Sequence, residues 1–203
     1  MGLFDFTYKT VARTSEGSYR EKGSKFIALA FPVHNEEEVK LKLAEVKKQY
    51  YDARHHCYAY ILGPDKDAYR INDDGEPSGT AGRPIHGQLL SNDLTDTLII
   101  VVRYFGGIKL GVSGLINAYK TAAKDAIENN DIIEKFVAEN YQISFPPLEM
   151  NKVMQLLKRD SVKITAQQYD MESIITFTVQ KQDSDNVLAG LKKINGLKLN
   201  VIT

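Results

Sequence analysis

The chain has 203 residues, which suffices for one large domain or two small ones, and its 26 basic and 26 acidic residues cancel to zero net charge. A protein without a global positive field cannot bind nucleic acid by net charge, so any RNA contact must rest on a local patch. The single cysteine, Cys57, excludes an internal disulfide and is typical of a reducing compartment. The longest apolar run, residues 98–102, is too short to span a bilayer, and the first residues lack the pattern of a signal peptide. We therefore expect a cytoplasmic protein that does not bind membranes.

The first two thirds of the chain alternate between strand and helix patterns. Residues rich in β-branched and aromatic side chains predict strands at 6–14, 18–33, 55–62 and 96–105, with a hairpin turn at Glu16–Gly17. Asn35, followed by three glutamates, predicts the start of a helix. Pro84 predicts a short helix up to Leu90, and an amphipathic helix is expected at 114–129. Between them, residues 72–84 show no periodicity and predict a structured loop.

The last third of the chain has a more regular plan. The predicted elements are a strand at 132–145, a helix at 146–160, strands at 161–170 and 173–180, a helix at 183–194 capped by Asp183, and a strand at 197–203. This order, βαββαβ, is that of a ferredoxin-like domain. We expect no functional site in it.

A glycine-rich loop, residues 103–114 (RYFGGIKLGVSG), follows a buried strand and opens a helix. Backbone N–H groups and the helix dipole favour an anion at such a place. The spacing imitates a nucleotide-binding P-loop, but Val112 stands where that loop needs lysine, so a single phosphate or a nucleic-acid backbone is the better candidate. The candidate anion-binding residues are Arg83, Arg103, Gly106, Gly107, Lys109 and Gly111. Two structural alternatives remain: the glycines only permit a tight turn, and Arg103 forms an ion pair with Asp73, Asp74 or Glu76.

An acidic loop precedes this strand. Its residues Asp73, Asp74 and Glu76, with Arg54 and His55, form a second possible site, either as acid/base groups of an enzyme or, more simply, as turn-forming and salt-bridging residues. Their spacing fits no metal-binding loop, and a second cysteine for a zinc site does not exist. A small buried thiol is the favoured role of Cys57, over a nucleophile activated by His55. We expect no metal and no cofactor, and catalysis is the less favoured hypothesis.

Four segments together resemble one protein family. They are KGSKFIA (22–28), ARHHCYAYILG (53–63), GEPSGTAGRPI (75–85) and VVRYFGGIKLGVSGL (101–115), and they are similar to segments of the YigZ/Impact family. The resemblance implies an α+β protein of two domains, a ribosomal-protein-like α/β sandwich at 1–135 and a ferredoxin-like domain at 136–203. It also implies similarity to the last two domains of elongation factor G and a link to translation. Eukaryotic relatives act as regulators of a translation-control kinase pathway.

Residues and resemblance together favour one function over two others. The first hypothesis is a translation-associated binding protein that contacts the phosphates of a ribosome or RNA through the Arg-Tyr-Phe-Gly-Gly loop. The second is a hydrolase-type enzyme that uses the loop at 72–84. The third is a regulator that binds a protein partner in translation control and does not bind nucleic acid.

Overall fold

The computed structural model describes residues 6–202, which fold into two compact α+β units. One unit comprises Tyr8–Lys135, and the other comprises the chain from Phe136 onward with Phe6 and Thr7. The two-domain α+β class predicted from the sequence is confirmed. The predicted domains, an Impact N-terminal domain at 1–135 and a ferredoxin-like domain at 136–203, stay a prediction.

The larger unit is built on a five-stranded antiparallel sheet. The elements as far as residue 136 are β1 (Thr7–Val11), β2 (Ser15–Glu21), β3 (Ser24–Pro32), α1 (Glu36–Gln49), β4 (His55–Leu62), β5 (Ala68–Asn72), α2 (Gly82–Ser91), β6 (Thr97–Tyr104), α3 (Gly111–Glu128) and β7 (Ile132–Phe136). The strand order in the sheet is β2-β3-β6-β4-β5, while β1 and β7 pair separately. Strand β6 therefore lies in the middle of the sheet, with strands on both sides.

Helices cover both faces of this sheet, so the side chains of β6 are buried on both faces and the strand is apolar along most of its length. Successive side chains of a strand point to opposite faces. Ile99 and Val101 pack in the core that includes α2 and α3, whereas Ile100 and Val102 pack in the core that includes α1. Arg103 continues the alternation, so it lies on the α2 and α3 face at the end of the strand.

Some element boundaries differ from the sequence prediction. The hairpin turn lies at Lys22–Gly23, where both residues have positive φ, and not at Glu16–Gly17. Gly17 lies inside β2, where an added Cβ would overlap the backbone of Ala126 in α3. The predicted Asn35 cap is confirmed, since its side-chain oxygen accepts a hydrogen bond from the Glu38 amide at 2.9 Å.

The smaller unit has the predicted βαββαβ order. Its elements are β8 (Ala138–Phe145), a 3-10 turn (Pro147–Glu149), α4 (Met150–Leu157), β9 (Val162–Tyr169), β10 (Ser173–Gln180), α5 (Lys181–Leu191) and β11 (Lys198–Ile202). The antiparallel sheet has the order β11-β8-β10-β9. The run at 132–145 is two strands of different sheets, and Asp183 lies within the first turn of α5 and does not cap it. No helix among residues 6–202 is long and apolar enough to cross a membrane.

Candidate functional site

A cleft of about 440 Å³ opens where β6 ends and the glycine-rich loop leads into α3. Its polar lining consists of Arg54, His55, Glu76, Arg103 and Lys109. The structure thus brings together residues from both predicted sites, and these residues lie up to 57 positions apart in the sequence, from Arg54 to Gly111. The backbone of Gly111 also lines the cleft.

The wall of the cleft contains a buried ion pair between Arg103 and Glu76. Nη1 of Arg103 donates to Oε1 of Glu76 at 2.6 Å, and the two side chains are only 8% and 3% exposed. The Tyr119 hydroxyl donates to the same oxygen at 2.7 Å. The guanidinium carbon lies 5.5 Å from the ring centroid of Phe26 and 5.6 Å from that of Phe105. Of the three carboxylates considered from the sequence, Glu76 is the partner of Arg103, and a direct contact of Arg103 with phosphate stays a prediction.

Cys57 lies behind this pair and has no exposed surface. Its sulfur lies 3.0 Å from the Asp73 carbonyl oxygen and 3.3 Å from the Tyr119 hydroxyl oxygen, so its single hydrogen has two acceptors within reach. Burial raises the pKa of the Cys57 thiol and also that of the Tyr119 hydroxyl, so both groups stay protonated. Because the thiolate is the reactive form of cysteine, the structure makes Cys57 a buried, inert thiol.

The other acidic residues of the loop at 72–84 have structural roles. Asp73 accepts backbone hydrogen bonds at 2.8–3.0 Å from Gly79, Ala81 and Gly82, and so caps α2 from outside the helix. The Asp74 carboxylate accepts from the amide of His56 at 2.7 Å. Neither carboxylate lines the cleft, so the acid/base role considered for them is the less favoured one.

His55 is held in one orientation by the same loop. Its Nδ1 lies 2.8 Å from the Asp74 carbonyl oxygen. A carbonyl oxygen can only accept, so Nδ1 carries the proton and Nε2 is the second polar atom of the ring. His55 is half-buried and lines the cleft.

The glycines of the loop after β6 have different roles. An added Cβ on Gly106 would overlap the backbone of Gly23, while its own amide donates to Ser24 Oγ at 3.1 Å. Gly107 and Gly111 instead adopt positive φ, which glycine alone adopts readily. The alternative that the glycines only permit a tight turn and close packing thus explains why glycine stands at these three positions. It does not account for Lys109, which is exposed on the same loop.

The start of α3 has no side-chain cap. Its N-cap residue, Leu110, provides no capping side chain, and no side chain of residues 6–202 caps this end in its place. The first amides of a helix have no partner within it and carry the positive end of its dipole. Arg83 is exposed in the first turn of α2 and is not among the residues that line the cleft.

Two features of the site were not predicted from the sequence. Phe105 is 54% exposed and lines the cleft, although an aromatic residue that follows an apolar strand is more often part of the core. The hairpin at Lys22–Gly23 contacts the loop at Gly106, and its residues Arg20, Lys22 and Lys25 line a separate hollow together with Glu21. The density of basic residues in the segment YREKGSK was a signal for the second feature. Among residues 6–202, no three side chains of His, Cys, Asp or Glu converge to hold a metal ion.

Comparison with known proteins assigns the chain to a family. Residues 22–127 match the family model described as the Impact N-terminal domain. The chain belongs to the Impact family. Every side chain of the cleft lies within the matched Impact domain.

Impact-family relatives are found among bacterial proteins. IMPACT family member YigZ of Escherichia coli (strain K12) is 33% identical over 150 residues, which cover 73% of this chain and 74% of YigZ. IMPACT family member YvyE of Bacillus subtilis (strain 168) is 40% identical over 129 residues, which cover 64% of this chain but only 59% of YvyE. A solved structure described as that of a hypothetical protein covers 98% of both chains with 27% identity and a TM-score of 0.77.

Proposed function

We propose that this Impact-family protein is a translation-associated binding protein that contacts phosphate groups of ribosomal or ribosome-bound RNA through the loop after β6. The observation that carries the proposal is the cleft in which Lys109, Arg54 and the uncapped start of α3 come together. The family resemblance supplies the link to translation, and the chemistry of the cleft supplies the preference for an anion.

The charge of the cleft comes from two residues. Lys109 and Arg54 are exposed and form no ion pair within the part of the chain that the structure describes. Arg103 contributes little net charge because Glu76 neutralises it. Glu76 likewise contributes little net repulsion of an incoming phosphate, because the Arg103 guanidinium 2.6 Å away offsets its charge. The positive end of α3 adds to the two exposed charges.

The experiment is co-sedimentation with ribosomal particles across a salt series. The variant is Arg54→Ala/Lys109→Ala, because Arg103→Ala would leave Glu76 buried without its partner. The matched control is Lys40→Ala/Lys47→Ala, which removes two exposed charges from α1, a helix that packs on the opposite face of the sheet. We expect the wild type and the control to sediment at low salt, and the Arg54→Ala/Lys109→Ala variant to sediment more weakly at every salt concentration.

The salt dependence gives a quantitative check. Each phosphate contact to single-stranded nucleic acid contributes about 0.7 to the slope of log affinity against log salt, so the loss of two contacts lowers the slope by about 1.4. An equal slope for wild type and variant, with both folded by circular dichroism, would contradict the proposal.

A protein partner is the second candidate, and the exposed apolar side chains of Phe105, Ile108 and Val112 around the loop favour it. Such a partner would be retained at high salt and would not require RNA. The hydrolase-type alternative has less support, because Asp73 and Asp74 bind backbone amides and Glu76 is held in its ion pair.

A further inference from the structure

We propose that the cleft is a nucleotide subsite for single-stranded RNA, in which a base stacks on Phe105 while the adjoining phosphate contacts Lys109 and the start of α3. This inference rests on the proposed function and specifies the form of RNA that the protein binds. It assigns the stacking contact to one named side chain.

Phe105 has the properties of a stacking platform. Its ring is more than half exposed and yet is anchored, since the Arg103 guanidinium lies 5.6 Å from its centroid. That guanidinium is fixed in turn by Glu76 and by contact with the Phe26 ring. An aromatic ring held in place and open to solvent offers a π-face that any base can use.

The rest of the cleft suits the sugar-phosphate part of a nucleotide. The cleft of about 440 Å³ falls within the range of about 300–1,000 Å³ that is typical of small-ligand sites. Lys109 and the uncapped amides of α3 supply donors for a phosphate. Gly111 lines the cleft without a side chain, which leaves the backbone accessible.

A second observation is an unpaired donor in the wall of the cleft. Nε of Arg103 is buried and has no hydrogen-bond partner among residues 6–202, although the side chain lines the cleft. Buried polar groups nearly always have a partner in the protein, in water or in a bound ion. A donor left unsatisfied in the wall of a cleft is therefore a further sign that an acceptor binds there.

The form of RNA follows from the geometry of stacking. A base inside a duplex is already stacked on its neighbours and cannot also cover Phe105, whereas an unpaired base can. We therefore expect a preference for single strands over duplexes, with little dependence on sequence, because every base has a π-face.

The test is fluorescence anisotropy with a labelled 12-nucleotide oligouridylate and a labelled RNA duplex of the same length. Phe105→Leu keeps an apolar side chain but removes the aromatic face, and we expect it to weaken single-strand binding about tenfold. Its salt slope should not change, because no phosphate contact is lost. Phe105→Tyr keeps an aromatic face and should bind single strands as well as the wild type does. Tyr51→Leu, which changes an exposed aromatic residue outside the cleft, should have no effect on binding.

The outcomes separate this inference from the function on which it rests. If the protein binds RNA but Phe105→Leu binds as well as the wild type, or if duplex and single strand bind equally, the stacking inference is wrong and the proposed function stands. If neither oligonucleotides nor ribosomal particles bind, both are wrong. Salt-resistant binding of a protein partner that is lost in both Phe105→Leu and Phe105→Tyr would identify a protein-docking site instead.

Discussion

The ion pair between Arg103 and Glu76 is the most consequential contact of the cleft, and its removal should destabilise the larger unit strongly. Both side chains are more than nine-tenths buried, so solvent screens the pair little. Removing one partner of such a pair costs about 3–5 kcal/mol, because the other charge stays buried and uncompensated. We expect this loss for Arg103→Ala, in which Glu76 keeps only the hydrogen bond from Tyr119.

The comparison that tests the reasoning is the double variant Arg103→Met/Glu76→Gln. It leaves no buried charge, and the glutamine oxygen can still accept from Tyr119, so we expect it to be destabilised by only about 1–2 kcal/mol. An effect of about 4 kcal/mol on Arg103→Ala corresponds to a shift of about 2 M in the urea midpoint for a typical slope.

The assay is urea unfolding followed by far-ultraviolet circular dichroism, since the chain has no tryptophan to report on tertiary structure. Amide hydrogen exchange in peptides from β6 and α3 then locates the loss in the larger unit, with peptides from β8 and β10 as an internal reference. The reasoning is wrong if Arg103→Ala costs less than about 1 kcal/mol, or if the double variant is no more stable than the single one.

Two further predictions concern Gly106 and Cys57. Gly106→Ala places a Cβ against the backbone of Gly23 and should lower the free energy of unfolding by about 1–3 kcal/mol, as measured by thermal unfolding. Gly87→Ala, whose Cβ meets no neighbour, should instead stabilise α2 by about 0.5–1 kcal/mol. Equal effects of the two changes would contradict the close-approach argument. The Cys57 thiol should resist alkylation by iodoacetamide at pH 8 unless the protein is unfolded, because burial raises its pKa. Above the ordinary thiol pKa of 9.0 the unfolded chain loses the Cys57 proton, whereas the folded protein keeps it. The free energy of unfolding should therefore fall as the pH rises past 9.0, and Cys57→Ser should reduce this dependence of stability on pH.

Local patterns in the sequence were sufficient where side chains alternate or a cap is present. The period-two pattern of β10 survives in the structure as strict alternation of buried and half-buried residues, and Asn35 caps α1 as predicted. Strand β5 was missed because its residues are exposed or half-buried at an edge of the sheet and carry no apolar pattern. The turn was misplaced at Gly17 because that glycine serves the close approach of α3, a contact invisible in the local sequence.

The site could be predicted only in its parts. Glycine density and basic residues singled out the loop after β6, and acidic density singled out the loop at 72–84. That Glu76, and not Asp73 or Asp74, meets Arg103 depends on how the acidic loop folds over the start of β4, where the Asp74 carboxylate accepts a hydrogen bond from the His56 amide. The exposure of Phe105 could not be predicted from local pattern either. It follows the last residue of β6, where the alternation that buries earlier residues no longer applies.

The position of β6 in the sheet also determines the order in which the larger unit can assemble during synthesis. Strands β3 and β4 do not pair with each other, because β6 lies between them in the sheet. The ribosome synthesises β6 about 65 residues after the end of β3 and about 35 residues after the end of β4. Until then β3 can pair only with β2 and β4 only with β5, so each apolar strand presents one unpaired edge, the kind of surface that templates aggregation. A chain interrupted before Thr97 would therefore be expected to require chaperones, whereas a chain whose β6 has left the ribosome can close the sheet.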